Sequence, residues 1–338
     1  MPGVVFVSEA LRPKPREGAQ VLAGQLTEHL WMVHRGRSLG PSTGTVPHAK
    51  PVLSDRHLGV RSLSEIRRIK PDHLVYLPAN GLTRASLLRA AAIWAAGRRP
   101  PLELIVLQDF LPQDWSLRRL APRSWSFVAA TAVQAKRLSN SGHQVRMTVP
   151  RVACSRVGQR QSQHAAREML GLPDGHVFLH VGHARERRNL AALRPLCDIG
   201  TVVVILSDYG PESPDTVPQH ENLRVVRGYV SSIGDYYQAA SAYVFPTVDP
   251  GSVIGTPLSV FEALANGTPV VARQSEALAR WEGVPGLYLV RTDRELIELL
   301  RQPGQLARPV KGQFADIQQC RADLAVCVDH AATAEGRP

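Results

Sequence analysis

The sequence predicts an α/β protein with two doubly wound units, each built on a parallel sheet. Three observations carry this expectation. Short apolar runs at residues 4–8, 73–77, 102–107, 177–181, 202–206 and 242–245 have the length and continuity of strands buried on both faces. Helical stretches fall between them, and strand–helix alternation is the pattern of a parallel sheet covered by helices. At 338 residues the chain has room for two such domains.

Residues 1–150 form the expected first domain. The strand at 4–8 is not followed by the Gly-x-Gly-x-x-Gly of a dinucleotide fold. Instead Arg12-Pro13-Lys14-Pro15-Arg16-Glu17-Gly18-Ala19-Gln20 leads into an amphipathic helix that ends near Leu30. Residues 36–59, rich in Gly, Pro, Ser and Thr, read as irregular loop. A basic amphipathic helix at 63–69 carries Arg67, Arg68 and then Lys70. The most apolar helix, 87–96, is interrupted by Arg89. The strand at 102–107 ends at Gln108-Asp109. Arg118, Arg119 and Arg123 follow, interleaved with Trp115 and Trp125, a pattern that suits either a solvated face or an anionic surface. Strands at 127–131 and 144–149 close the domain.

Residues 151–165 read as a linker, 166–302 as the second domain and 303–338 as a tail. A helix at 166–172 precedes the strand at 177–181, which runs into Gly182-His183-Ala184-Arg185-Glu186-Arg187-Arg188-Asn189. Cations at the carboxyl end of a parallel strand lie where ligands of such sheets bind. Strands at 202–206 and 223–227 lead to Gly228-Tyr229-Val230, and a helix at 235–240 leads to the strand at 242–245.

The stretch from Phe245 to Ala272 organises this half. A loop with Pro246, Pro250 and Gly251 brings the chain to Thr256, placed as an N-cap, and Pro257, placed as the first helical residue. The helix runs over 258–266 and stops at Gly267, a C′ glycine. Its first N–H groups are unpaired and carry about half a positive charge, so the loop and helix start suit an anion. Glu262, one turn further in, could accept hydrogen bonds from paired hydroxyls such as those of a ribose. On physics alone the stretch also fits an ordinary βαβ joint with a solvated glutamate.

This segment resembles the donor-site signature of retaining GT-B glycosyltransferases of the family 4 type, the group 1 glycosyltransferases. Gly255-Thr256-Pro257-Leu258-Ser259-Val260-Phe261-Glu262-Ala263 and Gly267-Thr268-Pro269-Val270-Val271-Ala272 match the second half of the family's pattern. The resemblance covers 165–290 well and 1–150 loosely. It implies two doubly wound Rossmann-like domains facing each other across a cleft, the tail crossing back to the first domain, and a metal-independent hexosyltransferase of class EC 2.4. The donor implied is a UDP-, GDP- or dTDP-linked sugar. Residue by residue it assigns donor binding to Gly18, His183, Arg187, Arg188, Tyr229, Gly255, Thr256, Leu258, Ser259 and Glu262. It assigns catalysis to Gln108, Arg188 and Glu262, with no metal ligand and no cofactor.

Two positions depart from the family's pattern. Ile254 stands where the motif's first glutamate belongs, and Gln108 where a histidine usually contacts the donor sugar. These departures keep a catalytically degenerate sugar-nucleotide-binding protein open as an alternative. A GT-B epimerase or a nucleic-acid glycosyltransferase is a further one, although no nucleic-acid readout motif is present.

Composition narrows the rest. No stretch approaches the roughly 20 apolar residues of a membrane span, and no basic segment followed by an apolar core marks a secretory signal. Cys154, Cys197, Cys320 and Cys327 form neither a Cys-x-x-Cys pair nor a Cys/His cluster, as expected of thiols in a reducing, cytoplasmic setting. The formal charge of +11 is unevenly spread: residues 1–150 hold 21 Lys+Arg and 9 Asp+Glu, a net of +12, against 19 and 20 in the remainder. The asymmetry points to an anionic partner for the first half, whether acceptor, membrane surface or nucleic acid, and to a place at the inner face of a membrane.

Overall fold

The structure, a computed structural model, describes residues 3–11, 20–24, 26–27, 37–41, 49–53, 60–79, 81–107, 111–147, 157–158, 162–184, 188–207, 217–247 and 257–311. These fall into two compact units, one within 1–149 and one within 150–320. Each is an all-parallel sheet with helices, the Rossmann-like architecture the sequence predicts.

In the first unit, seven parallel strands are β1 (Val4–Ser8), β2 (Arg37–Pro41), β3 (Ala49–Leu53), β4 (His73–Leu77), β5 (Leu102–Val106), β6 (Trp125–Ala129) and β7 (Gln144–Met147). Their order is β3-β2-β1-β4-β5-β6-β7. Among the described residues the helices α1 (Val60–Ile69), α2 (Arg84–Ala96), α3 (Asp114–Leu120) and α4 (Ala132–Asn140) lie between them, and residues 20–24 and 26–27 are helical as well. Alternate residues of the central strands, among them Leu74, Tyr76, Leu102, Leu104, Trp125 and Phe127, make one continuous core with Leu87 and Ile93 of α2. Trp94 and Trp125 meet edge to face, their ring centroids 5.8 Å apart, a geometry worth about 0.5–1.5 kcal/mol beyond burial.

The segment expected to be irregular, 36–59, instead contains β2 and β3. Their Gly40, Pro41 and Pro51 are loop-forming in isolation, but Pro51 stands on the edge strand β3, where an absent proline N–H need break no ladder, and Pro41 is the last residue of β2, beyond its pairing with β1 and at a register shift against β3. Gly40 is required for another reason: a Cβ there would lie 3.0 Å from the Leu11 side chain. Trp125, expected beside the arginine cluster, is instead a core residue at 1% exposure, while Trp115 is half exposed.

The second unit has six parallel strands: β8 (Val177–Gly182), β9 (Thr201–Leu206), β10 (Leu223–Arg227), β11 (Ala242–Phe245), β12 (Val270–Arg273) and β13 (Leu287–Val290). They are ordered β10-β9-β8-β11-β12-β13. The helices are α5 (Gln163–Leu170), α6 (Ile233–Ala239), α7 (Leu258–Ala265), α8 (Glu276–Ala279) and α9 (Asp293–Leu300), with a 3-10 helix at Leu190–Asp198. Two apolar clusters cover the two faces, one containing Tyr243, Phe245, Phe261 and Leu264, the other Phe178, Val204, Val244 and Leu296. Burial on both faces explains why these strands read as unbroken apolar runs.

Helix α7 ends as expected. Gly267 adopts φ 74°, and the Gly267 and Thr268 N–H groups close on the Leu264 and Ala263 carbonyls at 3.0 Å, a Schellman ending. Its start is shifted by one residue: Pro257 holds the N-cap position with no capping side chain, and Leu258 is the first helical residue. The second unit also continues past 302. Leu306 is buried, and Arg308 donates to the Gly267 and Ala240 carbonyls at 3.1 and 3.2 Å. Of the tail expected to cross back, 303–338, residues 312–338 lie outside the described residues. Among the described residues no helix is long and apolar enough to cross a membrane.

Candidate functional site

Strand order reverses between β8 and β11: the chain moves outward to β9 and β10 on one side, then to β12 and β13 on the other. The connections leaving the carboxyl ends of β8 and β11 therefore diverge, and the crevice between them is where open α/β sheets bind ligands. The loop holding His183 and Arg188 leaves β8, and the segment that becomes α7 leaves β11. Topology alone puts both sequence-predicted anion elements at one point.

Side chains lock them together. The Tyr243 hydroxyl on β11 donates toward Ser259 Oγ in the first turn of α7 at 2.8 Å and toward the Val181 carbonyl of β8 at 3.3 Å. Burial pushes its phenol pKa well up, so it remains a neutral donor. Asn189 sits at φ 53°, a left-handed conformation that asparagine tolerates better than most residues. Its Nδ2 donates to the Pro246 carbonyl at 3.4 Å and to Asp293 at 3.2 Å. Asp293 also pairs with Arg273 at the end of β12. The residue after Arg188 is thus tied to the ends of β11, β12 and the start of α9.

Under the His183 loop lies His180, fully buried. Its ring stacks parallel to Tyr243 at 6.3 Å, and its Nδ1 lies 2.9 Å from the Val244 carbonyl, which places the proton on Nδ1. Nε2 makes no hydrogen bond among the described residues and would stand 2.9 Å from a Cβ on Gly182, so a glycine is required there. Burial, reinforced by Arg188 and His183 and opposed by the Val244 hydrogen bond, lowers the His180 pKa to about 4. The imidazole is neutral at pH 7 and adds no charge beneath the cationic loop.

Glu262 is buried at 2% exposure, and its Oε2 accepts from the Tyr237 hydroxyl of α6 at 2.9 Å. It is not a solvated glutamate, and one oxygen of the expected bidentate acceptor already has a protein donor. Tyr229 is 46% exposed and follows Gly228, whose φ is 91°. Backbone bonds from Gly228 N to Leu206 O and from Ser207 N to Gly182 O, each 2.9 Å, run along the carboxyl edge from this turn to the end of β8.

His183, Arg188, Tyr229, Leu258, Ser259 and Glu262 therefore share one edge of the second sheet. Gly18, Gln108, Arg187, Ile254, Gly255 and Thr256 lie outside the described residues. Sequence reasoning missed Tyr237, Tyr243 and His180, because polar residues inside apolar runs read as core. It also missed Asp293, whose setting Thr292-Asp293-Arg294-Glu295 signalled only a helix cap. Among the described residues no group of His, Cys, Asp and Glu is arranged to hold a metal ion.

Residues 175–302 match the family model described as glycosyl transferases group 1. The match lies wholly within the second unit. No curated protein sequence matches the chain. Solved structures match it over both units. Sucrose-phosphate synthase from Thermosynechococcus elongatus superposes with a TM-score of 0.72 at 14% identity, over 98% of this chain and 100% of that one. Anabaena HepE in complex with UDP-glucose gives 0.74 at 16% identity, over 98% and 100%. A trehalose-phosphate synthase (UDP-forming) from Burkholderia vietnamiensis gives 0.57 at 12% identity, over 98% and 97%. At these identities the likeness establishes the fold, two Rossmann-like domains of the GT-B type.

The buried His180 makes a stability prediction. Unfolded, its imidazole takes a proton near 6.5; folded, it does so only near 4. The unfolded chain therefore binds more protons between these values, and stability is full above about pH 6.5 and falls as pH drops toward 4. The shift corresponds to at most about 3 kcal/mol. His180→Asn, which keeps a donor for Val244, should flatten this part of the stability curve in urea titrations between pH 4 and 7. An unchanged slope would mean that His180 does not titrate this way.

Proposed function

We propose that the protein transfers a hexose from a nucleotide sugar to an acceptor hydroxyl, with retention at the anomeric carbon and without a metal ion. The observation that carries this reading is the Tyr243 brace. One hydroxyl spans the end of β8 and the first turn of α7, so the Arg188 loop and the helix start converge on a space suited to a diphosphate. The group 1 domain match and a superposing structure that holds UDP-glucose support the same donor class.

In this reading Arg188 and the first N–H groups of α7, at Leu258 and Ser259, hold the diphosphate, with His183 beside them. These are fixed positive groups aimed at the charge that grows on the leaving diphosphate, the kind of stabilisation that contributes most to such a step. They take the place a divalent cation holds in other transferases. Glu262, oriented by Tyr237, receives the ribose, and the Tyr229 turn borders the base. The bond from the sugar's anomeric carbon to the phosphate oxygen breaks as the acceptor oxygen bonds to the same face. The acceptor's proton passes to the departing phosphate oxygen.

The substitutions at Ile254 and Gln108 favour one second reading, a protein that binds the sugar nucleotide without turnover. Release of nucleoside diphosphate from a donor, in the presence or absence of acceptor, separates the two.

Arg188→Ala should weaken donor and nucleoside-diphosphate binding together, by about 10- to 150-fold, the equivalent of one charge-assisted contact. Isothermal titration with UDP, GDP and dTDP checks this, and affinity equal to wild type for every diphosphate bound would remove Arg188 from the site. Glu262→Gln should retain the fold and lose the preference of wild type for ribose over 2′-deoxyribose nucleotides. Identical preferences in both proteins would leave Glu262 as a brace for Tyr237 alone.

A further inference from the structure

We propose that the first unit docks on an anionic lipid bilayer through the outer faces of α2 and α3, which would make the acceptor a membrane-borne molecule. The excess charge of the first half gives no location by itself. The structure gives it one. Arg84 is the first residue of α2, and its guanidinium lies 4.3 Å over the ring of Trp115 in α3 while its Nε donates to Ser116 Oγ at 3.0 Å. Trp115 is nonetheless 51% exposed, and Leu88, one turn along α2 from Arg84, is 58% exposed. Arg118 and Arg119 follow Trp115 at three and four residues, hence on the same face of α3, and both are exposed.

Within these two helices the charge is almost wholly cationic. Neither helix carries an acid other than Asp114, and Asp114 already pairs with Arg137 at 3.5 Å. A solvated face would not be expected to present a tryptophan and a leucine between arginines. An exposed Trp with an apolar neighbour suits the headgroup boundary, and the surrounding arginines suit anionic headgroups. Nucleic acid is the less suitable partner, because Trp115 already has Arg84 on its ring and among the described residues no second exposed aromatic continues a stacking path on this face.

Position links the face to function. In the first unit strand order reverses between β1 and β4, so its crevice lies at the carboxyl ends of those strands. There Glu9 is held by Tyr76 Oη and Arg89 Nη1, each at 3.2 Å. Helix α2 follows β4 and α3 follows β5, so both begin at this same edge, and Arg84 and Trp115 lie in their first turns. A bilayer touching them would meet the edge on which an acceptor enters. This last step rests on the transferase reading; the docking does not.

The test is flotation of the full chain with vesicles of phosphatidylcholine alone and of phosphatidylcholine mixed with phosphatidylglycerol. Wild type should float only with the anionic vesicles and be partly released as salt is raised. Arg118→Gln with Arg119→Gln should lower the affinity about 30-fold, and Leu88→Ser with Trp115→Ser should remove the part of binding that survives salt. All four side chains are exposed, and unchanged nucleoside-diphosphate affinity in both variants would show that the fold and the donor site are intact. Equal flotation with both vesicle types, none with either, or wild-type flotation by both variants would overturn the proposal. So would retention on duplex DNA that the arginine changes abolish while vesicles are ignored. Absence of donor binding in wild type would instead count against the transferase reading and leave the docking result standing.

Discussion

One buried phenol, that of Tyr243, is the interaction on which the candidate donor site depends. It stands on the central strand β11, stacks on His180, and reaches both the last residues of β8 and the first turn of α7. Each such bond contributes only about 1 kcal/mol net to stability. The cost of leaving a buried hydroxyl unpaired is larger, about 1–3 kcal/mol, and that asymmetry keeps the two ends in register. Asn189 and Asp293 repeat the device on the other side of Arg188. The cationic loop is positioned by neutral and paired groups below it.

The electrostatics of the unit follow the same division. His180 sits under the loop but is kept neutral by burial, so the positive field comes from Arg188 and from the α7 start. Glu262, the acid nearest that start in the chain, is buried and held by Tyr237. Arg273, a cation at the same edge, is tied to Asp293. On the proposed reading the ligand is a diphosphate, which needs a fixed positive field and a dry wall on one side.

Much of this was legible in the sequence because parallel strands buried on both faces announce themselves as apolar runs. β1, β4, β10 and β11 fall on the expected residues, and Gly267 ends α7 as a C′ glycine should. What was not legible has physical causes. β3 is an edge strand and β2 pairs with β1 only over residues 37–39, so β3 and the end of β2 can contain glycine and proline, and local propensity read them as loop. Trp125 and Trp115 look alike in sequence, yet strand alternation buries one while the other rides on a helix surface. Tyr237 and Tyr243 matter through their hydroxyls, which periodicity counts as part of an apolar stretch. Pairings such as Asn189 with Asp293, 104 residues apart, exist only once the strand order is known.

Hydrogen–deuterium exchange on the full chain, with UDP, GDP and dTDP added in turn, tests the central claim most directly. If the strand-order reversal of the second unit is the donor site, a diphosphate that binds should protect peptides covering 182–184, 188–190 and 257–262. The opposite edge of the same sheet, at Val177 and Thr201, should be unaffected. Binding demonstrated by titration together with protection confined to residues 1–149 would contradict the account.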